Sequence, residues 1–201
     1  MSRTKLAIFD WNGTLQDDVP LYFEYSVRRT FARYGLPPPT LEEYREQMTG
    51  AEFMELFWRR GVPRIVTTDD VFAASRLEIL ADGRSAELFP DVRDVLSRLT
   101  DRGCEVAVVS MAPTLELVEG VIRHGLLPYL SCIRGDVRDG KHTAFADCCH
   151  VRLPRVHPMD AIAVGDMVDD AIAAQKAGIK PILCTRGYHT RNSMEAARAE
   201  I

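Results

Sequence analysis

The stretch IFDWNGTL (residues 8–15) decides the fold. An apolar run from Leu6 to Phe9 predicts a buried strand, which ends on a single carboxylate, Asp10, before the chain turns through Asn12 and Gly13. A strand that delivers an Asp to a glycine-containing loop places that Asp at the carboxyl edge of an α/β sheet, where such sheets bind their ligands. Taken alone, the pattern can also be ordinary turn chemistry.

Two later segments repeat this arrangement. One apolar run ends on Ser110, and another ends just before Asp166, with Asp170 four residues further on. Between the two runs lies Lys141. An Asp, a Ser, a Lys and an acidic pair in this order resemble the four motifs of the haloacid dehalogenase superfamily, and most of all its phosphoglycolate-phosphatase-like branch, which carries a helical cap. The resemblance spans the chain apart from residues 16–85.

Composition and charge exclude several classes of protein. The 201 residues are 46% hydrophobic, enough for a sizeable core, and carry a formal net charge of −4 without long runs of either sign. We therefore expect no nucleic-acid partner. No apolar run is long enough to cross a bilayer, and the first residues lead directly into a short strand, so we expect a cytoplasmic protein without a membrane partner. The five cysteines form no C-x-x-C pair, which argues against a disulfide framework.

The order of elements predicts the fold class. Residues 16–85 contain four helical patterns with no clear strand, and capping signals open two of these helices, at Thr40 with Glu43 and at Thr67 or Thr68. From Asp91 onward, strands and helices alternate. We predict an α/β protein with a Rossmann-like, mostly parallel sheet core formed by residues 1–15 and 86–201. Residues 16–85 would be an inserted α-helical cap.

The resemblance implies a phosphatase that acts on a small phosphorylated metabolite. Asp10 would be the nucleophile and form an aspartyl-phosphate. Ser110, the backbone N–H of the following Met111 and the ammonium of Lys141 would hold the transferred phosphoryl group. Thr14 of the first motif would also belong to the substrate-binding residues. Only four lysines occur in the chain, and Lys141 alone lies in the appropriate segment between strands.

The same resemblance implies Mg²⁺ as the cofactor, a hard cation that prefers oxygen ligands. Asp10, Asp166 and the backbone carbonyl of Asn12 match the family's protein ligands. Asp170 matches the second acid of the last motif, which supports the metal shell. Asp169 is a rival for that role, although the spacing favours Asp170.

One residue departs from the family pattern, because Asn12 stands where the family usually has a second Asp. A carboxamide cannot shuttle a proton, and general acid–base help is worth about 10²–10⁴ in rate. Another residue, such as His142 or His189, could supply the proton, or the substrate could carry a good leaving group. The protein could instead be a catalytically impaired relative that binds a phospho-ligand or a protein. Asn12 could also belong to an engineered variant, or deamidate to aspartate beside Gly13.

Two further chemistries of the superfamily fit less well. A 2-haloacid dehalogenase would usually carry Tyr in place of Asn12, and a phosphonoacetaldehyde hydrolase would need a cap lysine, which residues 16–85 lack. In the cap, the segment with Arg45, Met48, Thr49 and Gly50 is the candidate for specificity. Arg45 could meet an anionic substrate tail, although a solvated helix Arg is the commoner case. The sequence leaves the oligomeric state open.

Overall fold

The structure is a computed structural model that describes residues 5–47, 53–137, 140–152 and 156–198. Its central sheet has five parallel strands in the order β5-β4-β1-β6-β7. These strands are β1 (Lys5–Phe9), β4 (Cys104–Val109), β5 (Cys132–Arg134), β6 (Ala161–Gly165) and β7 (Lys180–Leu183). The expected Rossmann-like α/β core is therefore confirmed, and β1 lies at its centre.

The alternation of side chains along β1 explains why helices cover both faces of the sheet. Leu6 and Ile8 lie in a hydrophobic cluster on one face, and Ala7 and Phe9 lie in a second cluster on the other. The first cluster includes residues of helices α8 (Lys141–Asp147) and α9 (Val168–Lys176), and the second those of α6 (Val92–Asp101) and α7 (Thr114–Arg123). A last helix, α10, spans Arg191–Arg198.

The segment between β1 and α6 is mainly helical. Its helices are α1 (Val19–Tyr22), α2 (Arg29–Arg33), α3 (Leu41–Gln47), α4 (Phe53–Arg59) and α5 (Thr68–Ala81). Helices α2 to α5 share a hydrophobic cluster, in which the fully buried rings of Phe31 and Phe57 stack with centroids 5.4 Å apart. The predicted capping box of Thr40 and Glu43 is present, and Thr67 forms another with Asp70. The end of the helix expected near Met48 and Gly50 lies outside the described residues.

The local structure differs from the expectation based on the sequence in two ways. A two-stranded antiparallel ribbon, β2 (Gln16–Asp17) and β3 (Glu87–Leu88), joins the two ends of the helical segment, where we expected no strand. Strands of two residues are too short to show an alternating pattern. In addition, α1 continues into α2 through a π-helical turn (Phe23–Arg28), and another follows α8 (Cys148–Arg152). A single π-helical turn changes the spacing of apolar residues so little that the sequence pattern still predicts an α-helix there.

Within the described residues, none of the helices is long and apolar enough to cross a membrane.

Packing in the helical segment should dominate its stability. Replacing the fully buried Phe57 by Ala removes the stacked ring and leaves a cavity, so we expect the free energy of unfolding to fall by about 3–5 kcal/mol. The control is Leu80→Ala at an exposed position, which should change it by less than about 0.5 kcal/mol. Chemical denaturation of both variants measures the difference, and equal effects would contradict the assigned packing.

Candidate active site

One edge of the sheet collects the polar residues singled out in the sequence. Asp10 follows β1, Ser110 follows β4 and Asp166 follows β6, so parallel strands bring all three to the same carboxyl edge. The backbone continues the sheet ladder there, since the Asp10 amide donates to the Val164 carbonyl at 2.9 Å. Lys141 opens helix α8 at this edge.

Three buried carboxylates meet in this region. Asp10, Asp166 and Asp170 each offer an oxygen, and these oxygens lie within 4.8 Å of one another. Among the described residues, these three carboxylates form the one group of at least three His, Cys, Asp or Glu side chains that could hold a metal ion. Asp169, the rival considered from the sequence, is exposed at the start of α9. The structure therefore brings Asp170, and not Asp169, into the cluster.

Lys141 neutralises part of this charge. Its buried ammonium nitrogen Nζ lies 2.9 Å from Asp10 Oδ1 and 2.6 Å from Asp170 Oδ1. Burial opposes the charge of the ammonium, but Asp10 and Asp170 outweigh it and raise the pKa of Lys141 above its usual value. The lysine is therefore held as a cation beside the Asp10 carboxylate.

The cluster keeps an excess of negative charge. Burial, opposed by Lys141, raises the pKa of Asp10 to about 6, and burial together with the neighbouring Asp10 raises the pKa of Asp166 to about 8. Three carboxylates face one ammonium, so a divalent cation would relieve both desolvation and mutual repulsion. The residues present therefore fit a hard, oxygen-preferring metal ion.

Asp166 is fixed by the loops on either side of it. Its Oδ1 accepts a hydrogen bond from the Thr14 hydroxyl at 3.0 Å, and its Oδ2 accepts one from the Tyr188 backbone N–H at 2.6 Å. Gly13 has φ of +68°, and a Cβ on it would lie 2.3 Å from Asp166 Oδ2. Glycine is therefore required for the first loop to approach this carboxylate so closely. Thr14 contacts the acidic cluster directly, and its role toward substrate stays a prediction.

Position 12 is held by a residue that the sequence analysis missed. The side-chain Nδ2 of Asn12 donates to Asp18 Oδ2, and the Gly13 amide donates to Asp18 Oδ1 at 2.8 Å. Burial raises the pKa of Asp18 to about 6. In the sequence, Asp18 precedes Val19 and Pro20 and looks like a helix N-cap. It has the N-cap position of α1, but its side chain makes no capping bond.

The other predicted residues lie in different surroundings. Ser110 is buried, and its hydroxyl lies 3.5 Å from Asn12 Oδ1, whereas the Met111 side chain is 61% exposed. The guanidinium of Arg45 donates to the carbonyls of Thr185 and His189, at 2.9 and 3.3 Å. Arg45 thus joins α3 to the loop after β7, and a role toward substrate stays a prediction. Gly50 lies outside the described residues.

The two histidines considered as proton donors differ sharply. His189 is buried, and its Nδ1 accepts a hydrogen bond from the Val168 backbone N–H at 3.2 Å. His142 follows Lys141 but is exposed. The described contacts do not place either ring against Asn12.

Comparison with known proteins identifies the family. The family model for haloacid dehalogenase-like hydrolases matches residues 7–184. The chain belongs to this family. A phosphoglycolate phosphatase of Pseudomonas aeruginosa is 29% identical over 205 aligned positions, which cover 96% of this chain and 74% of that protein. One from Aliivibrio fischeri is also 29% identical, over 92% of this chain and 86% of its own length.

Solved structures agree with this assignment at the level of the fold. A haloacid dehalogenase-like hydrolase from Streptococcus pneumoniae superposes with a TM-score of 0.75 at 21% identity, covering 98% of this chain and 91% of its own. The expected membership of the phosphoglycolate-phosphatase-like branch is confirmed, and with it the expectation of a hydrolase. The roles of individual residues of this hydrolase remain predictions.

We expect the stability of this hydrolase to depend on pH and on metal because of its buried carboxylates. The folded-state pKa values of Asp10 and Asp166 are raised, so the metal-free folded protein binds more protons than the unfolded chain between about pH 4 and pH 8. Stability from these groups is therefore present at low pH and is lost as the pH rises through that window. We expect the Tm without metal to fall from about pH 5 to pH 8, and Mg²⁺ to raise it more at pH 8.

The control for this measurement is Asp166→Asn, which removes the most strongly shifted carboxylate. The variant should show a flatter dependence of Tm on pH and a smaller shift on addition of Mg²⁺. Differential scanning fluorimetry with chelated and Mg²⁺-supplemented samples provides the comparison. An unchanged metal response in Asp166→Asn would exclude this cluster as the metal site.

Proposed function

We propose that this protein is a Mg²⁺-dependent phosphatase that hydrolyses a small phosphorylated metabolite through an aspartyl-phosphate on Asp10. The observation that carries the proposal is the contact of the Asp10 carboxylate with Lys141 inside a buried acidic cluster. A carboxylate next to a fixed ammonium is kept ionised for attack, while the ammonium is placed to stabilise charge on a bound phosphoryl group. The relatives named phosphoglycolate phosphatases make 2-phosphoglycolate the first metabolite to test.

The residues of the site divide the reaction between them. An oxygen of Asp10 forms the new bond to phosphorus as the ester bond breaks, and the leaving oxygen takes up a proton from water to give the free alcohol. Water then displaces Asp10 and releases inorganic phosphate. Lys141, the hydroxyl of Ser110 and the backbone N–H of Met111 would surround the equatorial oxygens of the phosphoryl group.

The metal would be held by Asp10, Asp166 and the backbone carbonyl of Asn12, with Asp170 supporting the shell and Lys141. Bound Mg²⁺ supplies positive charge that offsets repulsion between the carboxylates and the phosphate. Thr14 and the Tyr188 backbone N–H orient Asp166. Because Asn12 keeps its backbone carbonyl, its side chain does not affect this ligand set.

Residues 16–85 form the proposed cap over this site. Two observations support a cap that is anchored near the acidic cluster. Arg45 binds backbone carbonyls beyond β7, and Tyr188, whose N–H binds Asp166, packs against the hydrophobic cluster of the helical segment. A cap in this place would exclude bulk water and large substrates. A small metabolite is therefore the expected substrate, and the cytoplasmic location expected from the sequence stays a prediction.

Removal of the nucleophile tests the proposal directly. Asp10→Asn should lower the hydrolysis of an aryl phosphate by at least about 10³-fold, because a carboxamide cannot form the covalent intermediate. Asp169→Asn is the matched control, since it makes the same change at an exposed acid of α9 and should retain activity. The assay measures phosphate release with Mg²⁺ and with chelator. Full activity of Asp10→Asn would contradict the mechanism, and release of halide from a 2-haloacid by the unaltered protein would favour the dehalogenase alternative.

The amide at position 12 should make the rate depend steeply on the leaving group. Without a carboxylic acid there to protonate the departing oxygen, an alkyl phosphate should react about 10²–10⁴-fold more slowly than an aryl phosphate. A series of phosphate esters with leaving groups of different pKa measures this slope. A flat dependence would show that another group supplies the proton, and absence of turnover with every ester would favour the impaired, ligand-binding alternative.

A further inference from the structure

Asp18 is a buried carboxylate that lies outside the acidic cluster and has no role in the steps above. It is fully buried, and its oxygens accept hydrogen bonds from three groups. These donors are the side-chain Nδ2 of Asn12, the Gly13 backbone N–H at 2.8 Å and the Tyr188 hydroxyl at 3.3 Å. Because all three partners donate, the Asp18 side chain is an acceptor on every side that the structure describes.

The oxygens of Asp18 determine which end of the Asn12 carboxamide faces them. A carboxamide has a donating end and an accepting end, and only the donating Nδ2 is compatible with the oxygens of Asp18. Turning the amide over would place Oδ1 of Asn12 against a buried carboxylate and lose the hydrogen bond, at the cost of an unpaired buried group. The accepting Oδ1 therefore lies on the opposite side, where it is 3.5 Å from the Ser110 hydroxyl.

We propose that Asp18 is a positioning residue for Asn12, which turns the acceptor of its carboxamide toward Ser110 and the phosphoryl pocket. Positions 12 and 18 then form a complementary pair, in which one side chain must donate and the other must accept. The catalytic consequence rests on the proposed function, whereas the pairing itself does not. Held in this way, Oδ1 of Asn12 can orient the Ser110 hydroxyl or a water molecule by accepting its hydrogen bond.

The pairing changes what a substitution at position 12 would do. Asn12→Asp places a second carboxylate directly against Asp18, where two acceptors meet without a donor and with like charge in a buried space. The substitution that restores the usual family residue is therefore expected to harm this chain. Exchanging the two side chains, as in Asn12→Asp with Asp18→Asn, restores one donor and one acceptor across the contact.

A double-mutant cycle tests the pair. The four proteins are the unaltered chain, Asn12→Asp, Asp18→Asn and the double variant, and each is measured for Tm and for kcat and KM with an aryl phosphate and Mg²⁺. We expect Asn12→Asp to lower Tm by roughly 5–10 °C and the double variant to return to within about 3 °C of the unaltered chain. Asp17→Asn controls for the loss of one charge at the adjacent, exposed residue.

The kinetic readout separates positioning from mere stability. Asp18→Asn should lower kcat by about 10-fold or more with KM changed by less than about 3-fold, since it frees the amide of Asn12 to turn over. The double variant should recover at least the kcat of the unaltered chain, because its carboxylate at position 12 is again held by a donor. A carboxylate at position 12 can also raise kcat as the usual acid of the family, so positioning requires the kcat of the double variant to exceed that of Asn12→Asp alone. Equal kcat values in these two variants would overturn the positioning role.

The two proposals fail in different ways. Additive changes in Tm, with hydrolysis in the unaltered chain, would overturn the pairing and leave the proposed function standing. Coupled changes in Tm with no hydrolysis in any of the four proteins would support the pairing and overturn the phosphatase proposal. A single variant Asn12→Asp that is as stable as the unaltered chain would overturn the pairing outright.

Discussion

The burial of like charges at one sheet edge is the constraint on which the rest of this site depends. Parallel strands present their carboxyl ends together, so Asp10 and Asp166 are forced into proximity by the topology itself. One internal cation, Lys141, bridges Asp10 and Asp170 but cannot balance three carboxylates. The remaining negative charge suits the divalent cation that the proposed function places at this edge.

The supporting contacts around this edge serve to hold the charges in place. Glycine at position 13 lets the first loop pass within reach of Asp166, and Thr14 and the Tyr188 backbone satisfy the two oxygens of that carboxylate. Tyr188 also binds Asp18 through its hydroxyl and packs against the helical segment. A single residue after β7 therefore connects the acidic cluster, the contact at position 12 and the helices inserted after β1.

The contact of Asn12 with Asp18 shows why a motif cannot be read one residue at a time. From the motif alone, Asn12 is the loss of an acid. In the structure, a buried carboxylate lies against that amide and accepts its hydrogen bond, so the local pair still contains one carboxylate and one complementary partner. The sequence shows Asp18 only as an acid before a helix that begins with Val19 and Pro20, a pattern typical of an N-cap. Nothing in the spacing indicates that its side chain points back to residue 12.

The sequence by itself determined the α/β core, the family and the order of the chemical residues, because apolar periodicity and strand-end polar residues are local patterns. It also predicted that Asp10, Ser110, Lys141 and the acids of the last motif would meet, since parallel strands share an edge. Its spacing also favoured Asp170 over Asp169, and the cluster contains Asp170. Only the tertiary structure decided that Arg45 binds the backbone beyond β7 and that Asp18 holds Asn12. These outcomes depend on side-chain direction and on contacts between residues that the fold brings together, neither of which leaves a periodic signal in the chain.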